Sequence, residues 1–456
     1  MEQIKKINLK KGLNIPIAGI PKEDTLETCH TETVALLGDD YVGMKPSMRV
    51  HLGDNVALGQ ILFVDKKNEG VCFTSPASGE VIAINRGAKR KFESLVIKRK
   101  GNETVTFLDN ILEQKHSAKT IRETLIESGL WPALRTRPFG KVPAIHTNPH
   151  SLFITAIDTR PLAAHPHSII KRYQKEYQKG LAILRSFLDC PIHYCCGDAP
   201  LLECEMYNDI DYTSFTGPHP AGLASTHIHF IDPVYEEKMV WHIDYHDVVA
   251  IGFLFINGHL NDSRVIAIGG PDCNAPQLVE TNIGANLSEL CKNRIINKTN
   301  KDNEKTRYIS GSVLCGRPAK ETTLYLGRYA NQVSLLPDND GRDFFNWAIL
   351  GKNRFSAMPI FLSTFLKPRI FSMNTALWGG KRAIYPIASY DQVMPLDIIP
   401  IQLLKSIETG QTDKSKDLGC LELIEEDLAL CSFVCPGKND FGVSLRKLLT
   451  AIELGD

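Results

Sequence analysis

Residues 50–87 read VHLGDNVALGQILFVDKKNEGVCFTSPASGEVIAINRG. Three short runs rich in β-branched and apolar side chains, ILFV, GVCFT and EVIAI, are punctuated by Gly53-Asp54, Gly59-Gln60 and Pro76-Ala77-Ser78-Gly79. Glycine reaches positive φ without steric penalty and proline presets its own φ, so these are turn signals and the runs between them are strands. The stretch predicts a small all-β unit at the front of the chain.

Beyond it the pattern changes. SAKTIRETLIESGL (117–130) reads as a helix ending at Gly129, SLFITAID (151–158) as a buried strand, and HSIIKRYQKEYQKGLAILRSFL (167–188) as one amphipathic helix. CPIHYCC, HIHFID and VVAIGFLFI read as further strands. Alternating helix and strand predicts an α/β domain with a parallel sheet. A second β-rich unit begins with the strand RVIAIGG and is interrupted by the Lys/Asn-rich loop KNRIINKTNKDNEKTR (292–307). After it, segments such as DIIPIQLLKSI and VSLRKLLTAIE are helix-compatible. The expected division is 1–103 (β), 104–262 (α/β), 263–339 (β) and 340–456 (helical).

The bulk numbers fit this. With 456 residues, 43% of them hydrophobic, the chain can bury several cores. Lys plus Arg and Asp plus Glu stand at 52 each, so no basic excess favours a nucleic-acid partner. The start, MEQIKKINLKKGLNIPIAG, lacks the apolar core of a secretory signal. The most apolar stretches, 248–256 and 357–366, fall short of the roughly 18–20 residues that cross a bilayer. Twelve cysteines without a framework, among them the neighbours Cys195 and Cys196, suit a reducing cytoplasm.

Near the end, LCSFVCPGKNDFG (430–442) has the tail of the Cys-x2-Cys-x2-Cys-x3-Cys-Pro run that holds iron–sulfur clusters. Counting back from Cys435 and Cys431, the other two ligand positions hold Leu428 and Glu425. Leucine has no lone pair for iron, so the expectation is a structural Cys pair in a helical turn and no cluster. His227 and His229 stand two apart in a predicted strand and would share a face, without a Cys or Glu at ligand spacing. His242 and His246 have a zinc-like spacing only on a helix, and their β-like flanks argue against one. Gly-x-Ser-x-Gly, P-loop and Gly-x-Gly-x-x-Gly patterns are missing, which removes support for nucleophilic or phosphoryl-transfer chemistry.

GDNVALGQ and SPASGEV, at their separation, resemble the barrel-sandwich hybrid, or hammerhead, of biotinyl and lipoyl domains. The position of their carrier lysine holds Asn68, with Lys66 and Lys67 out of register; a solvated basic turn is expected, with a carrier module on either lysine as the alternative. The order of units resembles the flavin subunit of respiratory complex I and the Rnf complex C subunit. From end to end the chain is similar to the A-subunit family of the Na+-translocating NADH:quinone oxidoreductase. That likeness rests on VALLGDDYVGMKP (34–46), RTRPFGKVPAI (135–145), GLASTHIHFIDPV (222–234), YISGSVLCG (308–316), VMPLDIIP (393–400) and LGCLELIEEDLALCSFVCPGK (418–438).

The resemblance implies a Rossmann-like α/β domain, a β-grasp-like (SLBB) domain and a C-terminal helical domain of degenerate ferredoxin type. It implies a peripheral, structural component on the cytoplasmic side of the bacterial inner membrane, partnered by the membrane-embedded B subunit and the NADH-oxidising F subunit. FMN, FAD or riboflavin, Fe-S centres, NADH and ubiquinone would belong to other subunits, with none bound by this chain.

Cofactor-bearing relatives have a Gly-Gly-Ala-Gly-Phe-Pro loop whose bare N–H groups approach flavin and nucleotide phosphates. The matching stretch here is Arg135, Thr136, Arg137 and Pro138 before Phe139, with side chains in the space and no N–H on Pro138. Their Glu-x-Glu-Pro becomes Asp158-Thr159-Arg160-Pro161, one carboxylate replaced by a cation. The first cluster run aligns with Ile384, Ile387, Tyr390 and Met394, which lack thiolates altogether. A converted pocket is expected, with Arg135, Arg137, Phe139 and Lys141 as candidates to hold a quinone head group through donors and an aromatic wall. The alternative is that these cations form salt bridges across the old cleft.

Overall fold

The structure, a computed structural model, describes residues 4–107, 117–296, 305–339, 350–366, 369–377 and 379–455. The front unit is built from two small antiparallel sheets. One runs β3 (Thr33–Leu37), β9 (Phe92–Arg99), β8 (Gly79–Arg86), β5 (Asn55–Val56), and the other β4 (Pro46–Met48), β6 (Ile61–Asp65), β7 (Cys72–Thr74). Between them Val34, Phe63, Phe73, Leu95 and Ile97 are buried in one core. The two strands ahead of them are given to other sheets: β1 (Lys5–Asn8) edges the α/β sheet and β2 (Lys22–Thr28) the second β-rich sheet.

The turn after β6 keeps Lys66 and Lys67 exposed, as expected, but it is not free. Asn68 Nδ2 donates to the carbonyls of Val142 at 3.0 Å and Pro143 at 3.2 Å, pinning the turn to the α/β unit.

The α/β sheet has the order β1, β13 (Asp211–Thr216), β12 (Ile192–Cys196), β11 (Leu152–Ala156), β14 (Val240–Asp244), β10 (Arg135–Arg137). The first five are parallel, as predicted, and β10 runs antiparallel to β14. All of β11 is buried, because a parallel strand is covered on both faces. From β11 the chain steps outward through β12 and β13 and then returns to β14 on the other side. The strand order therefore reverses between β11 and β14, and in doubly wound sheets ligands bind outside the carboxyl ends of the strands at such a reversal.

Around the sheet lie α1 (Ala118–Glu127), α2 (Pro166–Arg172), α3 (Gln174–Phe187), α4 (Ala224–Ile231) and α5 (Tyr245–Asn257). Ser117 caps α1 by accepting from Thr120 N. Three expectations are corrected. The helix predicted over 167–188 is two helices, broken at Tyr173, whose backbone leaves the helical region (φ −113, ψ 42). HIHFID and VVAIGFLFI are not strands: most of the first lies in α4 and all of the second in α5. Both helices are buried around much of their circumference, so the polar stripe that identifies a surface helix is missing. α5 packs closely on α3, where a Cβ on Gly252 would come 1.6 Å from Glu176 O and one on Gly180 2.1 Å from Val248 O.

The second β-rich sheet runs β18 (Arg317–Pro318), β17 (Lys305–Ser310), β19 (Gln332–Asp338), β15 (Ser263–Gly269), β16 (Gln277–Asn282), β2, with the short α6 (Leu287–Leu290) beside it. Half of the predicted Lys/Asn-rich loop, residues 297–304, lies outside the described residues. The C-terminal unit contains α7 (Ala388–Val393), α8 (Pro400–Glu408), α9 (Thr412–Asp417), α10 (Ala429–Val434) and α11 (Phe441–Leu454), closed on a core of Leu403, Leu428, Phe441 and Leu445. Among the described residues, no helix is long and apolar enough to cross a membrane.

Candidate functional site: the crevice at the strand-order reversal

The carboxyl ends of β11 and β14 bring Asp158, Arg160 and Asp244 to one crevice, and the antiparallel edge strand β10 brings Arg135 and Arg137. Arg137 is fully buried. Its Nε donates to Ser225 Oγ at 3.0 Å, and its Nη1 to Thr136 O at 3.2 Å and His242 Nε2 at 2.8 Å, while Nη2 has no partner among the described residues. A guanidinium can only donate, so His242 Nε2 accepts and the ring proton sits on Nδ1. Burial, reinforced by Arg137, holds His242 far below the ordinary histidine range, which keeps it neutral. Burial also draws Arg137 down to about 10, against the pull of Asp427.

The C-terminal unit covers this crevice. Arg160 Nη1 lies 3.1 Å from Asp158 Oδ2, and Nη2 lies 2.6 Å from Glu426 Oε2. Arg446 grips Glu425 with Nε and Nη2, at 2.5 and 2.7 Å, and gives Nη1 to Phe139 O at 2.7 Å. Lys141 pairs with Glu453. Asp427 Oδ2 accepts from Ile424 N at 2.7 Å. Burial raises the Asp427 carboxyl to about 7 despite Arg137, whereas in Glu426 the effect of burial is overcome by Arg160, which holds it low.

Behind the ion pairs is a cavity of about 40 Å³ lined chiefly by Arg135, Arg160, His242, Asp244, Asp247 and Arg264, with Tyr329 as its aromatic wall. The Arg135 guanidinium stacks on the Tyr329 ring 4.5 Å from its centroid. Burial, and Asp247 nearby, raise Asp244 to about 6.

The four quinone candidates thus share one hairpin but not one surface. Arg135 lines the cavity, Arg137 is buried among Ser225 and His242, Phe139 (φ 74) packs on the C-terminal core, and Lys141 faces Glu453. Around residues 135–138 the backbone offers little to a phosphate: Thr136 N donates to Lys141 O at 2.8 Å and Pro138 has no N–H. Sequence reading weighed His242 only as a metal ligand and missed Ser225, Asp244, Asp247, Arg264, Tyr329, Glu426 and Asp427 as site residues. One local signal existed, since Asp244 caps α5 through His246 N, and it is legible only once 245–257 is read as a helix.

Of the positions in the ferredoxin-like spacing, Glu425 is held by Arg446 and Leu428 is in the C-terminal core. Cys431 lies in α10 and Cys435 caps its end, each 1% exposed. Burial lifts the Cys431 thiol to about 12, so it stays protonated. Tyr390 and Met394 are buried in the same core, with Ile384 and Ile387 at its edge. Among the described residues, no three His, Cys, Asp or Glu side chains are grouped to hold a metal ion.

His227 and His229 do not share a strand face. On α4, His227 Nε2 reaches Ala221 O at 2.9 Å, whereas His229 Nδ1 reaches Glu422 Oε2 at 2.8 Å and its Nε2 accepts from Asp397 N at 3.0 Å. His242 is on β14, as its flanks predicted, so the spacing to His246 is not helical.

The architecture is that of a multidomain α/β and β protein whose sheet crevice is closed by its own C-terminal helices. Residues 7–100 match the NqrA N-terminal barrel-sandwich hybrid domain, 116–260 the NqrA second alpha/beta domain, and 265–321 the NQRA C-terminal domain. The A subunit of the Na(+)-translocating NADH-quinone reductase of Haemophilus influenzae is 50% identical over 451 residues, covering 98% of this chain and 99% of that one. Its counterpart in Pasteurella multocida is 49% identical and that of Neisseria gonorrhoeae 47%, each with 98% and 99% coverage. The chain belongs to the family of Na(+)-translocating NADH-quinone reductase A subunits.

Proposed function

We propose that this chain is the peripheral A subunit of a Na+-translocating NADH:quinone oxidoreductase, seated on the cytoplasmic face of the inner membrane against the membrane-embedded B subunit, with the NADH-oxidising F subunit in the same complex. Its role is structural: electrons pass from NADH through flavins and iron centres of the other subunits to a quinone, and this chain binds no flavin, NADH or Fe-S cluster. On this reading its α/β unit is Rossmann-like, its second β unit β-grasp-like, and its helical tail a ferredoxin-type scaffold without clusters. The observation that carries the proposal is Arg137, wholly buried and bonded to Ser225 and His242 where a nucleotide phosphate would need open backbone N–H groups. The test is the absorbance of the purified chain, expected to lack flavin and cluster bands, together with co-purification of the membrane subunits on a tagged copy. Stoichiometric flavin would refute it.

One observation favours a second reading, in which a quinone head group meets this chain directly. Arg135 and Tyr329 together offer a donor and an aromatic wall at the cavity. Quinone titration of wild type, Arg135→Gln and Phe139→Ala tests it; equal affinity in all three removes these residues.

A further inference from the structure

Three donors line the cavity. Arg135 stacks on Tyr329 and its guanidinium has no hydrogen-bond partner. Arg264, 8% exposed, gives Nη1 to Arg328 O and Nη2 to Asp247, but its Nε is unpartnered. His242 receives Arg137 at Nε2, so its ring proton is on Nδ1. Arg264 Nε is buried without a partner, and buried donors are seldom left unmatched; with the Arg135 guanidinium and the His242 Nδ1–H at the same cavity it marks the position of an acceptor-rich ligand.

The carboxylates in the wall do not satisfy these donors. Asp244 accepts from His246 N at 2.9 Å and Asn331 Nδ2 at 3.1 Å. Asp247 Oδ1 accepts from Arg328 Nη1 at 2.7 Å and from Arg264 Nη2 at 3.5 Å. Asp247 Oδ2 receives no donor among the described residues, so the cavity also presents one open carboxylate oxygen.

Two guanidinium donors, one imidazole N–H and one open carboxylate oxygen complement an anion that has several acceptor oxygens and a single O–H. We infer that the cavity binds hydrogen phosphate. Its unprotonated oxygens accept from Arg135, Arg264 and His242, and its P–OH donates to Asp247 Oδ2. Sulfate has the same shape but no proton at neutral pH, and it would oppose lone pairs to Asp247. The cavity, about 40 Å³, is of a size for a small inorganic ion. It lies where the strand order reverses, the binding position of a doubly wound sheet, and Arg135 is exposed enough to give it a route to solvent. The inference goes beyond the proposed function and does not depend on membership of a complex.

Isothermal titration of the full chain with sodium phosphate, in dilute Tris at neutral pH, tests this. The expected result is saturable binding at one site, with sulfate at least ~10-fold weaker and Arg135→Gln losing ~10-fold or more in phosphate affinity, the range for one charge-assisted hydrogen bond. Arg264→Lys is the second variant: it keeps a cation for Asp247, removes the Nε–H, and is expected to weaken phosphate similarly. Circular dichroism confirms that each variant is folded. No saturable heat with phosphate, sulfate bound as tightly as phosphate, or unchanged affinity in both variants overturns the inference.

Discussion

Arg160 holds Asp158 at 3.1 Å and Glu426 at 2.6 Å with the two ends of one guanidinium, tying the carboxyl end of β11 to the C-terminal unit. The cation at position 160 is therefore a joint between units. Arg160 and Glu426 side chains are only 21% and 14% exposed, so removing one leaves the other charge poorly solvated.

Arg160→Ala is expected to destabilise the chain by about 3 kcal/mol, the lower end for a broken buried pair. Glu426→Gln should lose less, since the amide oxygen still accepts. In a double-mutant cycle with Ala at both positions, the two losses should fall short of additivity by about 1 kcal/mol or more. Urea denaturation of the four proteins checks this, and strict additivity would mean that the pair contributes no coupling.

Acid should loosen the same region. Burial pulls five histidines below their ordinary 6.5: His219 to about 3, His227 to about 4, His242 and His246 well below it, and His193 as well. Between pH 6.5 and those folded values the unfolded chain binds more protons, so each histidine removes about 1.4 kcal/mol of stability per pH unit as pH falls. Asp244 and Asp427 act in the opposite sense, because their folded carboxyls are raised from 3.8 to about 6 and about 7 and hold protons that the unfolded chain releases. The histidines outnumber them. The thermal midpoint should fall between about pH 6 and pH 4, and His219→Gln should flatten that slope by close to one proton.

Gly252 has no room for a methyl group. Its Cβ would sit 1.6 Å from Glu176 O on a backbone that cannot yield without parting α3 from α5. Gly252→Ala should therefore destabilise by about 3 kcal/mol or more, beyond the usual range for overpacking, despite alanine's better helix propensity. A thermal midpoint equal to that of the wild type would show that the helices can separate freely.

Asn68 should matter more than the lysines beside it. Asn68→Ala removes donors to Val142 O and Pro143 O and should lose about 1–2 kcal/mol, with faster amide exchange in the 135–145 hairpin. Lys66→Ala and Lys67→Ala, both at exposed positions, should leave exchange there unchanged.

Residue identity and spacing alone were enough for the local units and their chemical deficits. Turn residues marked the β unit around 50–87, apolar runs marked β11 and β12, and helix-compatible segments marked α8 and α11. The identities of the side chains at 135–138 and of Glu425 and Leu428 are legible in the same way, because a residue's identity decides what it can donate or ligate. Long-range packing supplied the rest. α4 and α5 read as strands because burial removed the polar face that marks a helix. β1 and β2 left their neighbours in sequence for distant sheets, a choice governed by which edges are free. The site itself joins Arg137 to Ser225 and His242 and Arg160 to Glu426, and no local pattern encodes pairings between segments so far apart in the chain. Those side chains act together only because folding excludes water from one crevice, where a buried charge is stabilised by partners that distant segments supply.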